Sequence, residues 1–329
     1  MNPCGLDGIA YVEFVSNEPQ KLDALFKAFG FSKVMRHASK PIDLYRQGDI
    51  TFLVNRDSKS FAAEFGALHG PSICSMGWRA KSARVAHDVA VQRGARSFDA
   101  TSIFGIGDSL ITFIDTPELQ GFVPLESPER VPSKGFSAID HLTNNVEKGT
   151  MQKWAGFYKE VFGFEEIRYF DIRGVKTGLT SYALRSPCGK FCIPINEADE
   201  KKSQINEYLE EYKGPGIQHL AFLTSDLLAS LKSLDGSGIE TLDMDDDYYR
   251  EAFVRVPQVT EDRVELRKRN VLLDGDEHGY LLQIFTRNLV GPIFIELIQR
   301  KNHASFGEGN FGALFRSIER DQQKRGVLD

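Results

Sequence analysis

DHLTNNVEKGTMQKWAGFYKEVFGF, residues 140–164, has a degraded counterpart in DGIAYVEFVSNEPQKLDALFKAFGF, residues 7–31. At an offset of 133 (140 − 7), Asp7-Gly8-Ile9 falls on Asp140-His141-Leu142 and Phe29-Gly30-Phe31 on Phe162-Gly163-Phe164, with no gap between. Each copy carries one apolar helical face at i, i+3, i+4, i+7: Leu22, Leu25, Phe26 and Phe29 in the first, Trp154, Phe157, Tyr158 and Val161 in the second. The glycine after each face suits a left-handed helix stop. A strand and an amphipathic helix, repeated along one chain, mark a duplicated module.

A second offset, 144, sets Gly70-Pro71 on Gly214-Pro215, Ile73 on Ile217 and Gly94 on Gly238. The difference, 144 − 133 = 11, puts eleven extra residues inside the second half. The chain therefore reads as four modules, one paired with three and two with four. Each runs strand, helix, turn and then two or three strands, the clearest late strands being Tyr45 to Val54, Leu110 to Ile114, Leu179 to Leu184 and Leu281 to Thr286. One such unit leaves a sheet face bare, and a second unit buries it by closing a half-barrel. The expected fold is α+β, with four βαβββ modules paired into two half-barrel domains. Pro124, Pro128 and Pro132 punctuate the join, which separates residues 1–130 from residues 131–329.

Bulk properties narrow the partner. A charge of −6 and 41% hydrophobic residues describe an ordinary globular chain with no basic footprint for nucleic acid or an anionic membrane, so a small molecule is expected. The start, MNPCGLDG, has neither a basic nor an apolar leader segment, and no apolar run is long enough to span a bilayer. A cytoplasmic protein is expected. Cys4, Cys74, Cys188 and Cys192 are too few and too scattered for a disulfide framework and read as inert thiols.

The chemistry starts from Glu296, a lone carboxylate in the apolar run GPIFIELIQR, residues 291–300. Burying that charge costs several kcal/mol, as a rough figure, unless a cation or partner meets it. His141 in AIDHLTNNV and His219 in GIQHLAFLT sit in strand-like surroundings at equivalent places of paired modules. Closing the second half-barrel would gather the three, and two imidazoles with one carboxylate form the facial triad of non-haem Fe(II) oxygenases. Because both imidazoles must be neutral to bind, metal affinity is expected to fall below about pH 6. In the first half Gly8 stands opposite His141 and Ser75 opposite His219, while Glu126 matches Glu296 at an offset of 170 (296 − 126). Only the second half is expected to hold metal, and Glu126 reads as surface.

Strand alternation puts Phe294 with Glu296, Gln283 with Phe285, and Pro194 with Asn196 on shared faces. With Ser181 they suit a polar aromatic ligand. Gly307 to Gly312 matches G-x-G-x-x-G, but only 17 residues follow (329 − 312), too few for a nucleotide-binding unit. The segment reads instead as a turn, Asn310 as N-cap, and a terminal helix striped by Phe311, Leu314, Phe315 and Ile318 that lids the cavity, with Phe306 and Phe311 at its entrance. The acidic cluster Asp243, Asp245, Asp246 and Asp247 lacks EF-hand spacing and reads as a solvated loop.

IDHLTNNV, CIPINEA, KSQINEYL, GPGIQHLAF, LLQIFT, IFIELIQRK and FGEGNFGALFRSIERDQQKRGVL, with NPCGLDG, LYRQGDITFLVN and HGPSIC in the first half, resemble the bacterial type of the 4-hydroxyphenylpyruvate dioxygenase family, over essentially the whole chain. That family lies in the vicinal oxygen chelate superfamily, with the glyoxalase, bleomycin-resistance and dihydroxybiphenyl dioxygenase folds. The resemblance implies one Fe(II) per subunit on His141, His219 and Glu296. It further implies polar substrate contacts at Ser181, Asn196, Gln204 and Gln283, catalytic assistance from Gln283, Asn196 and Gln204, and a wall and gate of Pro194, Phe285, Phe294, Phe306 and Phe311. The implied reaction takes 4-hydroxyphenylpyruvate and O2 to homogentisate and CO2 in tyrosine and phenylalanine catabolism, in a homodimer or homotetramer. The family often has histidine at Asn144 or Asn145, a departure expected not to touch the metal. The rival readings are hydroxymandelate synthase, extradiol ring cleavage and a non-catalytic binding protein on the same scaffold.

Overall fold

The computed structural model of the chain describes residues 1–173, 178–198 and 200–327; Leu328 and Asp329, which end the expected second half, lie outside them. Strands β1 (Leu6–Val15), β2 (Ser32–His37), β3 (Ile42–Gln47), β4 (Ile50–Asn55), β5 (Ser72–Ala80), β6 (Ser102–Phe104), β7 (Leu110–Ile114) and β8 (Phe122–Glu129) form one sheet in the order β6-β7-β5-β1-β4-β3-β2-β8. Strands β9 (Phe136–Asn145), β10 (Glu165–Arg173), β11 (Gly178–Arg185), β12 (Cys192–Glu197), β13 (Gly216–Thr224), β14 (Leu272–Gly275), β15 (Tyr280–Phe285) and β16 (Phe294–Lys301) form the other, in the order β10-β11-β12-β9-β13-β16-β15-β14. In the second sheet β9 and β13 run antiparallel at the centre, β12 lies parallel to β9, and β16 lies parallel to β13. Two modules thus meet back to back. The first sheet repeats the pattern with β1, β5, β4 and β7.

The amphipathic faces fold as expected, into helices Pro19–Ala28 and Met151–Phe157, the latter running on into a π-turn at Tyr158–Phe162. Gly30 and Gly163 follow at φ +87° and +79°, left-handed stops that a side chain would strain. Three expectations are corrected. Tyr45 to Val54 is two strands, β3 and β4, joined by a tight turn at Gly48-Asp49. Pro124 and Pro128 lie within strand β8, which leaves its own module and pairs with β2 at the sheet edge, where a residue without N–H is tolerated. Asp245 and Asp246 begin helix Asp246–Arg255, and Asp245 pairs with Arg320 of the terminal helix, so the acidic cluster is a docking strip rather than a free loop.

One hydrophobic core runs through both halves. Trp78 of β5 is fully buried against Phe162, Phe191 and Phe164, with ring centroids 5.0, 5.4 and 5.9 Å away. Phe222 of β13 packs reciprocally on Phe29, Phe31 and Phe52 of the first half. Each half thus buries aromatic rings of the other. No helix among the described residues is long and apolar enough to cross a membrane.

Candidate metal centre

Three central strands of the second sheet each place one donor in its concave face. His141 comes from β9, His219 from β13 and Glu296 from β16, and all are buried, at 3%, 8% and 3% exposure. Register explains the convergence: Ala221 of β13 lies opposite His141 on one side and opposite Glu296 on the other. His141 Nε2 is 3.0 Å from Glu296 Oε2, the two Nε2 atoms are 3.3 Å apart, and His219 Nε2 is 3.4 Å from the same oxygen. Among the described residues this is the one group of three or more His, Cys, Asp or Glu donors gathered so closely.

Backbone irregularities fix the imidazoles. The β9–β13 pairing skips Asp140 between Ile139–Phe222 and His141–Ala221, and skips Gln218 between Ile217–Asn144 and His219–Thr143. A skipped residue breaks alternation, so its side chain can reach the following histidine. His141 Nδ1–H donates to Asp140 Oδ2 at 2.7 Å, and His219 Nδ1–H to Gln218 Oε1 at 3.0 Å. With both Nδ1 atoms used as donors, the two Nε2 atoms and the Glu296 carboxylate converge, and once His141 gives up its Nε2 proton all three present lone pairs, a cluster that suits a cation. Separations of 3.0–3.4 Å are short enough for the three donors to share one ion, and two imidazoles with a carboxylate fit a divalent transition metal.

Without a cation, a proton on His141 balances the cluster's charge. Burial opposes a charged imidazole at His141, yet Glu296 and Asp140 hold its pKa up at about 9. Burial also opposes the Glu296 carboxylate, which the two histidines hold down at about 2. Asp140 sits well below the usual carboxylate range, because hydrogen bonds from Arg300 and His141 outweigh its burial. His219 is lowered, burial outweighing Glu296.

The cavity beside these donors is lined by Ser181, Pro194, Asn196, Gln204, Phe285, Phe294, Phe306 and Phe311, and also by Gln218, Phe170 and Leu179. Ser181 and Asn196 face each other across β11 and β12, and Asn145 Oδ1 accepts from Asn196 Nδ2 at 3.4 Å. Phe294 stacks on His219 at 4.7 Å, and Phe306 presents to His141 edge-on at 5.4 Å. Gln283 stands apart: it is 1% exposed, does not line the cavity, and has no hydrogen-bond partner for Nε2. Gly307, at φ +79°, roofs it so closely that a Cβ there would come within 2.5 Å of that nitrogen. The terminal helix Phe311–Lys324 lines one side of the cavity with Phe311, Leu314, Phe315 and Ile318. Asn310 stands at its N-cap position as expected, but its side chain makes no capping hydrogen bond; its buried Oδ1 accepts from Tyr248 Oη at 2.6 Å. Gln218 was missed because strict alternation would turn it away from His219.

The same bulges correct the internal alignment. In the first sheet the β1–β5 pairing skips Ala10 and Cys74, so Tyr11 and Ser75 stand where His141 and His219 stand, at offsets of 130 (141 − 11) and 144 (219 − 75). Gly77 lies opposite Thr112 as Ala221 lies opposite Glu296, so Thr112, not Glu126, is the counterpart of Glu296. Glu126 is exposed on β8.

Comparisons with known proteins agree with this architecture. The family model described as hydroxyphenylpyruvate dioxygenase, HPPD, N-terminal, matches residues 1–121, and that of the glyoxalase/bleomycin resistance protein/dioxygenase superfamily matches residues 138–283. The chain is 54% identical to protein MelA of Shewanella colwelliana over 99% of each sequence. It is 46% identical to a 4-hydroxyphenylpyruvate dioxygenase of Legionella pneumophila, over 99% of this chain and 98% of that one. A solved structure of a mutant 4-hydroxymandelate synthase from Streptomyces coelicolor superposes with a TM-score of 0.85 at 28% identity, covering 96% of this chain and 99% of that one.

Proposed function

This chain belongs to the 4-hydroxyphenylpyruvate dioxygenase family, and we propose that it converts 4-hydroxyphenylpyruvate and O2 to homogentisate and CO2 with one Fe(II) per subunit. The observation that carries the metal assignment is the convergence of His141, His219 and Glu296 beneath an aromatic lid. When bound, Fe(II) would anchor the 2-oxo acid and supply the electrons for O2 chemistry, and redox-inert Zn2+ in the same seat could not do the second.

The chain supplies position and exclusion of water. Phe285 and Phe294 form an apolar wall against which the substrate ring packs, and Pro194 and Leu179 narrow the slot. Asn196, held by Asn145, together with Ser181 and Gln204, offers hydrogen bonds to the phenol end or to an oxyanion developing there. Phe306 and Phe311 keep bulk water from the reacting centre. Gln283 acts on substrate only if the Gly307 turn lifts from it.

The likeness to a 4-hydroxymandelate synthase keeps a second product in view, with the same substrate oxidised at the benzylic carbon. Anaerobic loading with Fe(II), followed by oxygen-uptake and product chromatography, separates the readings. Homogentisate with one CO2 per O2 is expected, and Glu296→Ala should take up no O2 while keeping its fold. Hydroxymandelate would move the chain to the second reading, and an active Glu296→Ala would refute the ligand assignment. A homodimer or homotetramer in the cytoplasm completes the proposal.

A further inference from the structure

Arg300 lies on β16 four residues beyond Glu296, on the same strand face, and its guanidinium is mostly buried. Its Nε and Nη2 donate to Asp140 Oδ1 and Oδ2 at 2.7 and 2.8 Å, a two-pronged grip on the carboxylate that accepts His141 Nδ1–H. Its Nη1 donates to the carbonyl oxygens of His303 and Ser305 at 3.1 and 2.6 Å. The guanidinium also faces the Phe306 ring at 5.8 Å, and that ring meets His141 edge-on. One side chain therefore touches the anchor of an imidazole, the segment leading to the terminal helix, and the entrance ring.

We propose that Asp140 and Arg300 are positioning residues that act as a unit: they set the orientation of His141 toward the metal and tie it to the seating of the segment His303–Phe306. The proposal rests on the metal reading above. Asp140 fixes the His141 tautomer so that the Nε2 lone pair faces inward, and partners of that kind raise the basicity of a ligand. A free carboxylate could rotate away, whereas a forked guanidinium holds both oxygens in one plane. When His303 and Ser305 dock, their carbonyls complete the arginine's donor set, so closure of the entrance and alignment of the imidazole favour each other. His219 lacks this device, since a neutral amide, Gln218, holds it. The first half supplies an internal control. Ala10 stands where Asp140 stands (140 − 130), and β7, the counterpart of β16, ends at Ile114, before the place of Arg300 is reached. The half without the histidines also lacks the pair.

The test uses the full chain and Co(II) alone, read by visible absorption and chelator competition, with circular dichroism as the fold control. Asp140→Asn should weaken Co(II) by roughly 10- to 100-fold and shift the ligand-field bands. Arg300→Lys, which keeps the charge but cannot fork, should give a smaller loss together with faster tryptic release of the terminal segment. The double variant should lose no more than Asp140→Asn, as expected of groups acting as a unit. Folded variants with the parent's affinity and spectrum would overturn the proposal, even if their melting temperatures fell. Failure of the underlying reading looks different: there, Glu296→Ala would bind Co(II) as the parent does.

Discussion

His141 joins the metal site to the pH. The Glu296 and Asp140 carboxylates hold its imidazole proton up to about pH 9 against the opposing effect of burial, whereas His219 is already neutral at lower pH. An incoming divalent ion must expel that proton, so affinity should rise roughly tenfold per pH unit toward pH 9 and level off above it. The histidine pattern alone set the fall below about pH 6; Glu296 and Asp140 together move it upward. Co(II) titrations between about pH 6 and 10 check this, and a flat profile would contradict histidine ligation. His141, His219 and Glu296 were legible because charged or polar residues in apolar strands demand a reason. Asp140 and Gln218 were not, because their roles come from bulges, and a skipped residue leaves no mark in an alternating pattern.

The terminal helix is held from outside by ion pairs and from inside by rings. Arg320 pairs with Asp245, Arg325 with Glu207 and Arg287 with Asp321, while Phe311 lies 5.2 Å from Phe170. Its apolar stripe was readable at helical spacing, whereas the acidic strip that receives it was not, since charge complementarity between distant segments appears only after folding. Strands β7 and β11 were read nearly to the residue, while β3 and β4 were fused because a two-residue turn barely interrupts a buried apolar run. The entrance ring gives a test at this scale. Phe306→Ala should leave metal affinity close to the parent's but lower kcat/KM by roughly ten- to a hundredfold as water gains access, with CO2 release exceeding homogentisate formation. Equal loss of metal binding and turnover would argue against a role in closure.

Over the whole molecule, the repeat found by sliding the sequence against itself corresponds to two similar sheets, yet they are not free of each other. Trp78 seats in a ring of second-half aromatics, and His69 Nδ1 lies 2.6 Å from the Tyr212 carbonyl oxygen across the same boundary. Trp78→Ala should cost about 3–5 kcal/mol and lower the unfolding of both halves together, seen as one calorimetric transition. Two separate transitions, with the second half unmoved, would show that the halves stand alone. The repeat was visible because helix faces and glycine stops survive divergence; its register was not, because strand offset (130) and helix offset (133) differ by three residues absorbed between them. The ligand triad itself is tested most directly by anomalous diffraction at the iron edge from crystals loaded anaerobically with Fe(II). One peak per chain, bonded to His141 Nε2, His219 Nε2 and Glu296 Oε2, is the expected result; a peak elsewhere, in protein that still turns over, would contradict it.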